Sequence, residues 1–193
     1  MTSAEAHSFD LAEEMVQQLE QEYGPEVLRG ELEKALAGGG AGVGVGLPRG
    51  LRFDRFFADF GRRWMERTLE LGERYADRTY QVLRQAAKET EELSFPFIPQ
   101  RFIEIAYLST QPIYTVPIVE NGARGLVFKM PFCGYFKVIQ EVAGEEFARE
   151  LHCKNACLVA CRTAFGRFGF NVGVTLEATM PADEYCQFAI RRA

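Results

Sequence analysis

Apolar positions recur at helical spacing through the first part of the chain. Between residues 9 and 37 they form two stripes that are separated by Gly24 and Pro25. The first stripe is Leu11, Met15, Leu19 and Tyr23, and the second is Val27, Leu28, Leu32 and Leu36. This spacing predicts two amphipathic helices, and Pro25 suits the first turn of the second one.

A longer apolar face follows from residue 53 to about residue 93. Its members share one broad side of a helix, opposite Arg and Glu side chains: Phe53, Phe56, Phe57, Phe60, Trp64, Leu71, Tyr75 and Leu83. The pattern predicts a long helix whose aromatic side packs against the rest of the protein. Because this length exceeds that of most globular helices, the helix is expected to bend or to serve a homodimer interface.

A glycine-rich run over residues 38–46 separates these helices. A phosphate-binding loop would need a strand before the glycines and a helix start after them, and neither is predicted here. The run therefore predicts a flexible linker. We divide the chain into residues 1–50, the N-terminal helices with the linker, and residues 51–193, the long helix with a C-terminal domain.

The pattern changes after residue 100, where β-branched and aromatic residues predict strands over 102–108 and 113–119. Asn121-Gly122 predicts a hairpin with a strand over 126–130. Helices are predicted over 135–143 and 145–167, followed by strands over 170–179 and 184–192 that a turn at 180–183 connects. This order predicts an α+β fold with a mostly antiparallel sheet and a helix pair inserted between strands.

Composition and charge exclude several classes of protein. The 193 residues are 47% hydrophobic and include 16 Phe, which is enough for a sizeable core and excludes disorder of the whole chain. The net charge of −5 disfavours nucleic-acid binding and attraction to an anionic membrane surface. No apolar run approaches the ~18 residues of a membrane-spanning helix, and no secretory signal is evident, so we expect a cytoplasmic protein.

All five cysteines lie between residues 133 and 186. An odd number of cysteines and a reducing compartment favour thiols that are reactive, metal-binding or simply buried. Cys133 is predicted close to a helix N-terminus, which lowers the pKa of a thiol, and this makes it the strongest nucleophile candidate. Cys186 is predicted to face the core, because it shares one side of a strand with Phe188 and Ile190.

Cys153, Cys157 and Cys161 are four residues apart on one predicted helix. The outer two are separated by ~12 Å of helical rise, so all three cannot bind one ion. The alternative is that they are small buried apolar side chains. His152, beside Cys153, is either a packed or a functional histidine.

Glu177 stands on the polar side of a predicted strand, between Thr175 and Thr179. It is a candidate general base or substrate anchor if helices cover that side. The simpler interpretation is that this side of the strand is exposed to solvent.

Four short segments resemble the L-2-amino-thiazoline-4-carboxylic acid hydrolase family. They are the Phe-Cys-Gly-Tyr-Phe run that begins at Phe132, the Leu-His-Cys run that ends at Cys153, the Thr-rich stretch over residues 175–180, and the Tyr-Cys-Gln-Phe run around Cys186. Two acids of the family pattern are absent, because Ala156 and Gln187 occupy their positions. Their absence favours a reaction other than the one for which the family is named.

The resemblance implies an enzyme that hydrolyses a C–N or C–S bond of a small heterocyclic substrate and needs no cofactor. It implies three catalytic thiols, Cys133, Cys153 and Cys186, with His152 or Glu177 transferring protons. Its implied substrate-binding residues are Asn155, Thr175 and Thr179.

Two further resemblances leave alternatives open. The run from Cys153 to Cys161, followed by Cys186, is similar to the cysteine pattern of the plastid carotenoid isomerase of strigolactone synthesis. That similarity implies an Fe- or Zn-dependent isomerase or redox protein that uses Cys153, Cys157 and Cys161. A weaker likeness is to the 4-vinyl reductase-type small-molecule-binding domain. The third alternative is a non-catalytic ligand-binding or interaction module, in which Phe and Trp of the long helix line a pocket or a dimer face.

Overall fold

Both predicted N-terminal helices are present in the computed structural model, which describes residues 11–38, 47–75, 97–122 and 124–193. Helix α1 spans Glu13–Tyr23 and α2 spans Pro25–Leu36, and Pro25 occupies the first turn of α2. The predicted stripe of α1 is buried, with Met15, Leu19 and Tyr23 facing the core. The predicted linker, residues 38–46, lies outside the described part of the chain except for Gly38.

Helix α3 spans Arg49–Arg74 and carries the predicted aromatic face. The members of that face from Phe53 to Leu71 are buried in the core of the same chain. A homodimer through this helix stays a prediction. Helix α3 lies so close to a later helix that a Cβ atom at Gly61 would overlap the backbone of Ala156. The predicted extension of this helix over residues 76–93 lies outside the described residues.

Helix α4, Phe97–Thr110, replaces the strand that the sequence predicts over residues 102–108. The prediction is wrong because α4 packs against α1, α3 and a later helix and is buried on most of its sides. A helix buried all round shows neither the apolar stripe nor the alternation that distinguishes helix from strand. Its β-branched and aromatic residues then favour the wrong choice.

The four strands form one antiparallel sheet, β1 Ile118–Gly122, β2 Gly125–Met130, β3 Val172–Ala178 and β4 Cys186–Arg192, in the order β1-β2-β4-β3. The predicted hairpin joins β1 to β2, but Asn121 and Gly122 pair with Leu126 and Gly125 inside the ladder instead of forming the turn. The strand that the sequence predicts over 113–119 is reduced to a short edge strand that begins at Ile118. The α+β class is therefore confirmed.

Helices α5 Gly134–Ala143, α6 Glu145–Arg149 and α7 Lys154–Arg167 connect β2 to β3. The predicted single helix over 145–167 is wrong, because the chain leaves the helical path at Leu151, whose φ is +57°. A short helix, α8 Met180–Asp183, takes the place of the predicted turn before β4.

One hydrophobic core joins α1, α2, α3, α4 and the helices after β2 to the inner face of the sheet. Side chains of the N-terminal helices therefore share a core with the C-terminal α+β unit. In the part of the chain that the structure describes, no helix combines the length and the apolar character needed to cross a bilayer.

Candidate functional site

Four of the five cysteines line one cavity between the sheet and helices α4, α5 and α7. They come from different places in the fold: the start of α5, the start of α7, the first turns of α7, and the start of β4. The cavity is lined by Tyr107, Met130, Cys133, Tyr135, Phe136, Leu151, Cys153, Lys154, Cys157, Cys186 and Phe188. Tertiary structure thus brings together thiols that the sequence separates by up to 53 positions.

Two of these thiols belong to residues that precede helices. Cys133 is the N-cap of α5, and its sulfur accepts a hydrogen bond from the Phe136 backbone N–H at 3.3 Å. Cys153 is the N-cap of α7, but its side chain caps no backbone N–H. The predicted position of Cys133 at a helix N-terminus is confirmed.

The other two thiols reach the cavity from a helix and a strand. Cys157 lies one turn into α7, and Cys186 opens β4, where it pairs with Met130 of β2. Cys161 is one turn farther along α7, buried in the core and outside the cavity lining. The outer members of the cysteine triplet therefore do not share a site.

Burial keeps the thiols of the cavity neutral. It raises the pKa of Cys133 to about 12, against a smaller opposing effect of the Phe136 backbone N–H. Burial, and then the neighbouring cysteines, raise the pKa of Cys153 and Cys157 well above the usual range of a thiol. The expectation that the helix N-terminus lowers the pKa of Cys133 is wrong, because desolvation outweighs the hydrogen bond.

Two buried tyrosines complete the cavity wall, and they differ in one respect. The Tyr135 hydroxyl donates a hydrogen bond to the Tyr23 carbonyl at 2.6 Å. The Tyr107 hydroxyl is buried and has no hydrogen-bond partner among the described residues. Trp64 packs edge-on against both rings, with centroid distances of 5.2 Å to Tyr107 and 5.5 Å to Tyr135.

A polar cluster holds the segment between α6 and α7 against α3. Asp54 Oδ1 accepts from Asn155 Nδ2 at 2.7 Å and lies 2.8 Å from His152 Nδ1, while His152 Nε2 lies 2.8 Å from Glu150 Oε2. Leu151 and Cys153, from the same segment, line the cavity, so the cluster positions part of its wall.

His152 and Asn155 therefore lie behind the cavity wall instead of lining it. Glu177 is exposed on the outer side of β3, where its carboxylate accepts from Gln187 Nε2 at 2.9 Å. Thr175 is exposed on the same side, and Thr179 precedes α8. The structure does not bring these three residues of the Thr-rich stretch to the cysteine cavity.

The metal-dependent alternative concerns Cys153, Cys157 and Cys161, of which the first two line the cavity. Within the described ranges, no three His, Cys, Asp or Glu side chains are grouped so that they could hold one. Cys153, Cys157 and Cys161 do not form such a group. The Fe- or Zn-dependent alternative therefore stays a prediction that depends on the resemblance alone.

The cavity is small and apolar in its closed part. It encloses about 20 Å³, and with the open concavity at its mouth the space is about 420 Å³. All four lining thiols are partly exposed and Lys154 is exposed, so Lys154 marks the mouth. Ligand pockets for small molecules commonly occupy 300–1,000 Å³, so the enclosed part, at about 20 Å³, is far smaller than such a pocket and holds about one water-sized group.

Several lining residues are not singled out by sequence reasoning. Tyr107 lies in the segment that the sequence predicts as a strand, so its position relative to the thiols could not be inferred. Tyr135 lies two residues after Cys133, at the start of a correctly predicted helix, and this proximity was the available signal. Phe188 is two residues after Cys186 on the same side of β4, where strand periodicity could have found it.

No protein-family model and no curated protein matches this chain. One solved structure, from a study of heme distortion in the H-NOX family, aligns over 92% of this chain and 89% of its own, with 11% identity and a TM-score of 0.29. A similarity this weak carries no argument about fold or ligand.

Proposed function

We propose that this protein binds a small, predominantly apolar organic molecule in the cysteine-lined cavity. The observation that carries the proposal is the convergence of four thiols and two tyrosine rings from separate elements on one apolar concavity. Neutral thiols behave as small, polarisable apolar groups, so they favour contact with carbon and sulfur atoms over charged groups.

The size of the cavity sets how such a molecule would bind. The closed part, about 20 Å³, admits one group of the size of a water molecule, so a ring compound binds only where the side chains at the mouth move apart. A ring would therefore occupy the mouth and displace the partly exposed side chains there. Lys154 is the exposed lining residue in that position, and Cys153 is its neighbour in the chain.

Hydrolysis through these thiols remains a prediction from the family resemblance. A thiol attacks as the thiolate, and burial opposes ionisation of every cysteine that lines the cavity. Among the described residues that line it there is also no carboxylate or imidazole to act as a base. Binding without turnover is the function that this environment supports best.

The five cysteines are free. Free thiols in this number suit a thiol-reducing compartment, so the proposal includes a cytoplasmic location.

An NMR titration with cyclohexanone tests the proposal. Cys157→Leu fills the cavity from α7, and Val159→Leu is the matched control, since Val159 is on the same helix but does not line the cavity. We expect saturable binding by the wild type and the control, and at least a tenfold loss in Cys157→Leu. Cys186→Leu, which narrows the cavity from β4, should show the same loss and guards against misfolding of the first variant.

Two results contradict the proposal. One is the absence of saturable shifts in the wild type at any soluble concentration of the probe. The other is unchanged affinity in both cavity-filling variants when their circular dichroism spectra are native.

A further inference from the structure

The Tyr107 hydroxyl stands out among the polar groups of the cavity. Tyr107 is 3% exposed, its hydroxyl oxygen is buried, and no residue in the described ranges forms a hydrogen bond with it. The Cys157 thiol lies within reach of the hydroxyl, but sulfur is a weak acceptor, so this contact does not replace a hydrogen bond to oxygen. The other tyrosine hydroxyl of the cavity is already engaged by Tyr23.

Packing prevents this hydroxyl from turning towards water. The Tyr107 ring contacts Trp64 edge-on at a centroid distance of 5.2 Å and lies 5.8 Å from the Phe128 ring. Both partners are fully buried. The hydroxyl is therefore fixed in an apolar place where an unmade hydrogen bond is costly, and buried polar groups in proteins are nearly always paired.

We infer that the ligand of this cavity is a neutral apolar molecule with one hydrogen-bond acceptor, a ketone or aldehyde carbonyl, that accepts from the Tyr107 hydroxyl. The inference rests on the proposed function and specifies the chemical class of the ligand. Burial raises the pKa of Tyr107 well above its ordinary value, so the group remains a donor.

A neutral acceptor fits this site better than a carboxylate. The thiols around the hydroxyl are uncharged, and the cationic side chain that lines the cavity, Lys154, is exposed at its mouth. A carboxylate next to Tyr107 would be a buried charge without a countercharge, which is far more costly than a buried carbonyl.

Cyclohexanone and methylenecyclohexane form a matched pair of probes, because they differ by an oxygen in place of a CH₂ group. We expect Tyr107→Phe to weaken cyclohexanone binding about fivefold, the effect of one net hydrogen bond, and to leave methylenecyclohexane unchanged. For each probe, the ratio of its affinities for the wild type and for Tyr107→Phe is compared, because this ratio does not depend on the hydration of the free probe. Cyclohexanecarboxylate should bind more weakly than cyclohexanone to both the wild type and Tyr107→Phe.

Infrared spectroscopy supplies a second readout that does not depend on affinity. The carbonyl stretch of bound cyclohexanone should shift to lower frequency in the wild type and return towards its value in an apolar solvent in Tyr107→Phe. Tyr135→Phe is the control variant, and it should retain the shift because its hydroxyl already donates to Tyr23.

The possible results separate the two proposals. Failure of both neutral probes to bind the wild type overturns the proposed function. Binding of both probes that is equal in Tyr107→Phe and in the wild type, or tighter binding of the carboxylate, overturns the ligand class and leaves the binding function standing.

Discussion

Replacing Tyr107 by Phe should stabilise the ligand-free protein, whereas replacing Tyr135 by Phe should destabilise it. Both side chains are buried in the same cavity wall, and both substitutions remove only a hydroxyl. The difference is that the Tyr135 hydroxyl donates to the Tyr23 carbonyl at 2.6 Å and the Tyr107 hydroxyl has no partner in the described part of the chain.

The magnitudes follow from the cost of burying a polar group. An unpaired buried donor costs about 1–3 kcal/mol, so Tyr107→Phe should raise the free energy of unfolding by about 1 kcal/mol. Tyr135→Phe removes one hydrogen bond and leaves the Tyr23 carbonyl without that donor, so it should lower the same quantity by about 1–3 kcal/mol. For a chain of this length each kcal/mol shifts Tm by about 2–4 °C.

Urea unfolding followed by the fluorescence of Trp64 measures both variants. Trp64 is the only tryptophan of the chain and touches both tyrosine rings. If the free energy of unfolding rises in Tyr107→Phe and falls in Tyr135→Phe, the result supports an unpaired Tyr107 hydroxyl. A loss of stability in Tyr107→Phe that equals the loss in Tyr135→Phe would refute it, because the Tyr107 hydroxyl would then have a partner.

Three other outcomes can be measured with standard methods. Gly61→Ala should lower the free energy of unfolding by about 3 kcal/mol, since a Cβ atom there overlaps the α7 backbone. Gly30→Ala, in open space on α2, is the control and should raise the free energy of unfolding by about 0.5–1 kcal/mol. Equal urea midpoints for the two variants would contradict the close packing of α3 and α7. Cys161 has a folded pKa of about 12 against 9.0 for a free thiol, so its stabilising effect is complete below pH 9 and is lost as the pH rises towards 12. The stability difference between the wild type and Cys161→Ala should shrink by about 1 kcal/mol from pH 7 to pH 10, and a constant difference would show that this thiol does not resist ionisation. Iodoacetamide at about pH 7.5 should label Cys157 at least tenfold more slowly in the native protein than in urea, which peptide mass spectrometry can follow, and equal rates would mean an accessible thiolate.

The fold class was predictable because most elements carry strong local signals. The stripe of α1, Pro25 at the start of α2 and the Asn121-Gly122 hairpin identify their elements without tertiary information. Helix α4 was not predictable in this way, since burial on most of its sides removes the polar face that marks a surface helix. The end of α6 depends on the positive φ of Leu151, a backbone conformation that the presence of a leucine does not predict.

The candidate site was predictable in its residues more than in its chemistry. The cysteine pattern pointed to Cys133, Cys153, Cys157 and Cys186, and these side chains share the cavity. The protonation of the thiols was not predictable, because it depends on burial by elements that are distant in sequence. Tyr107 was missed for the same reason, since it reaches the thiols only through the packing of α4 against α7.

The most direct test of the central claim is to locate a bound probe by NMR. In a complex of the wild-type protein saturated with cyclohexanone, the ring protons of the probe should show intermolecular nuclear Overhauser effects to the aromatic protons of Tyr107 and Phe188, which line the cavity. Effects confined to exposed side chains such as Tyr114, or none at saturation, would contradict binding in the cysteine cavity.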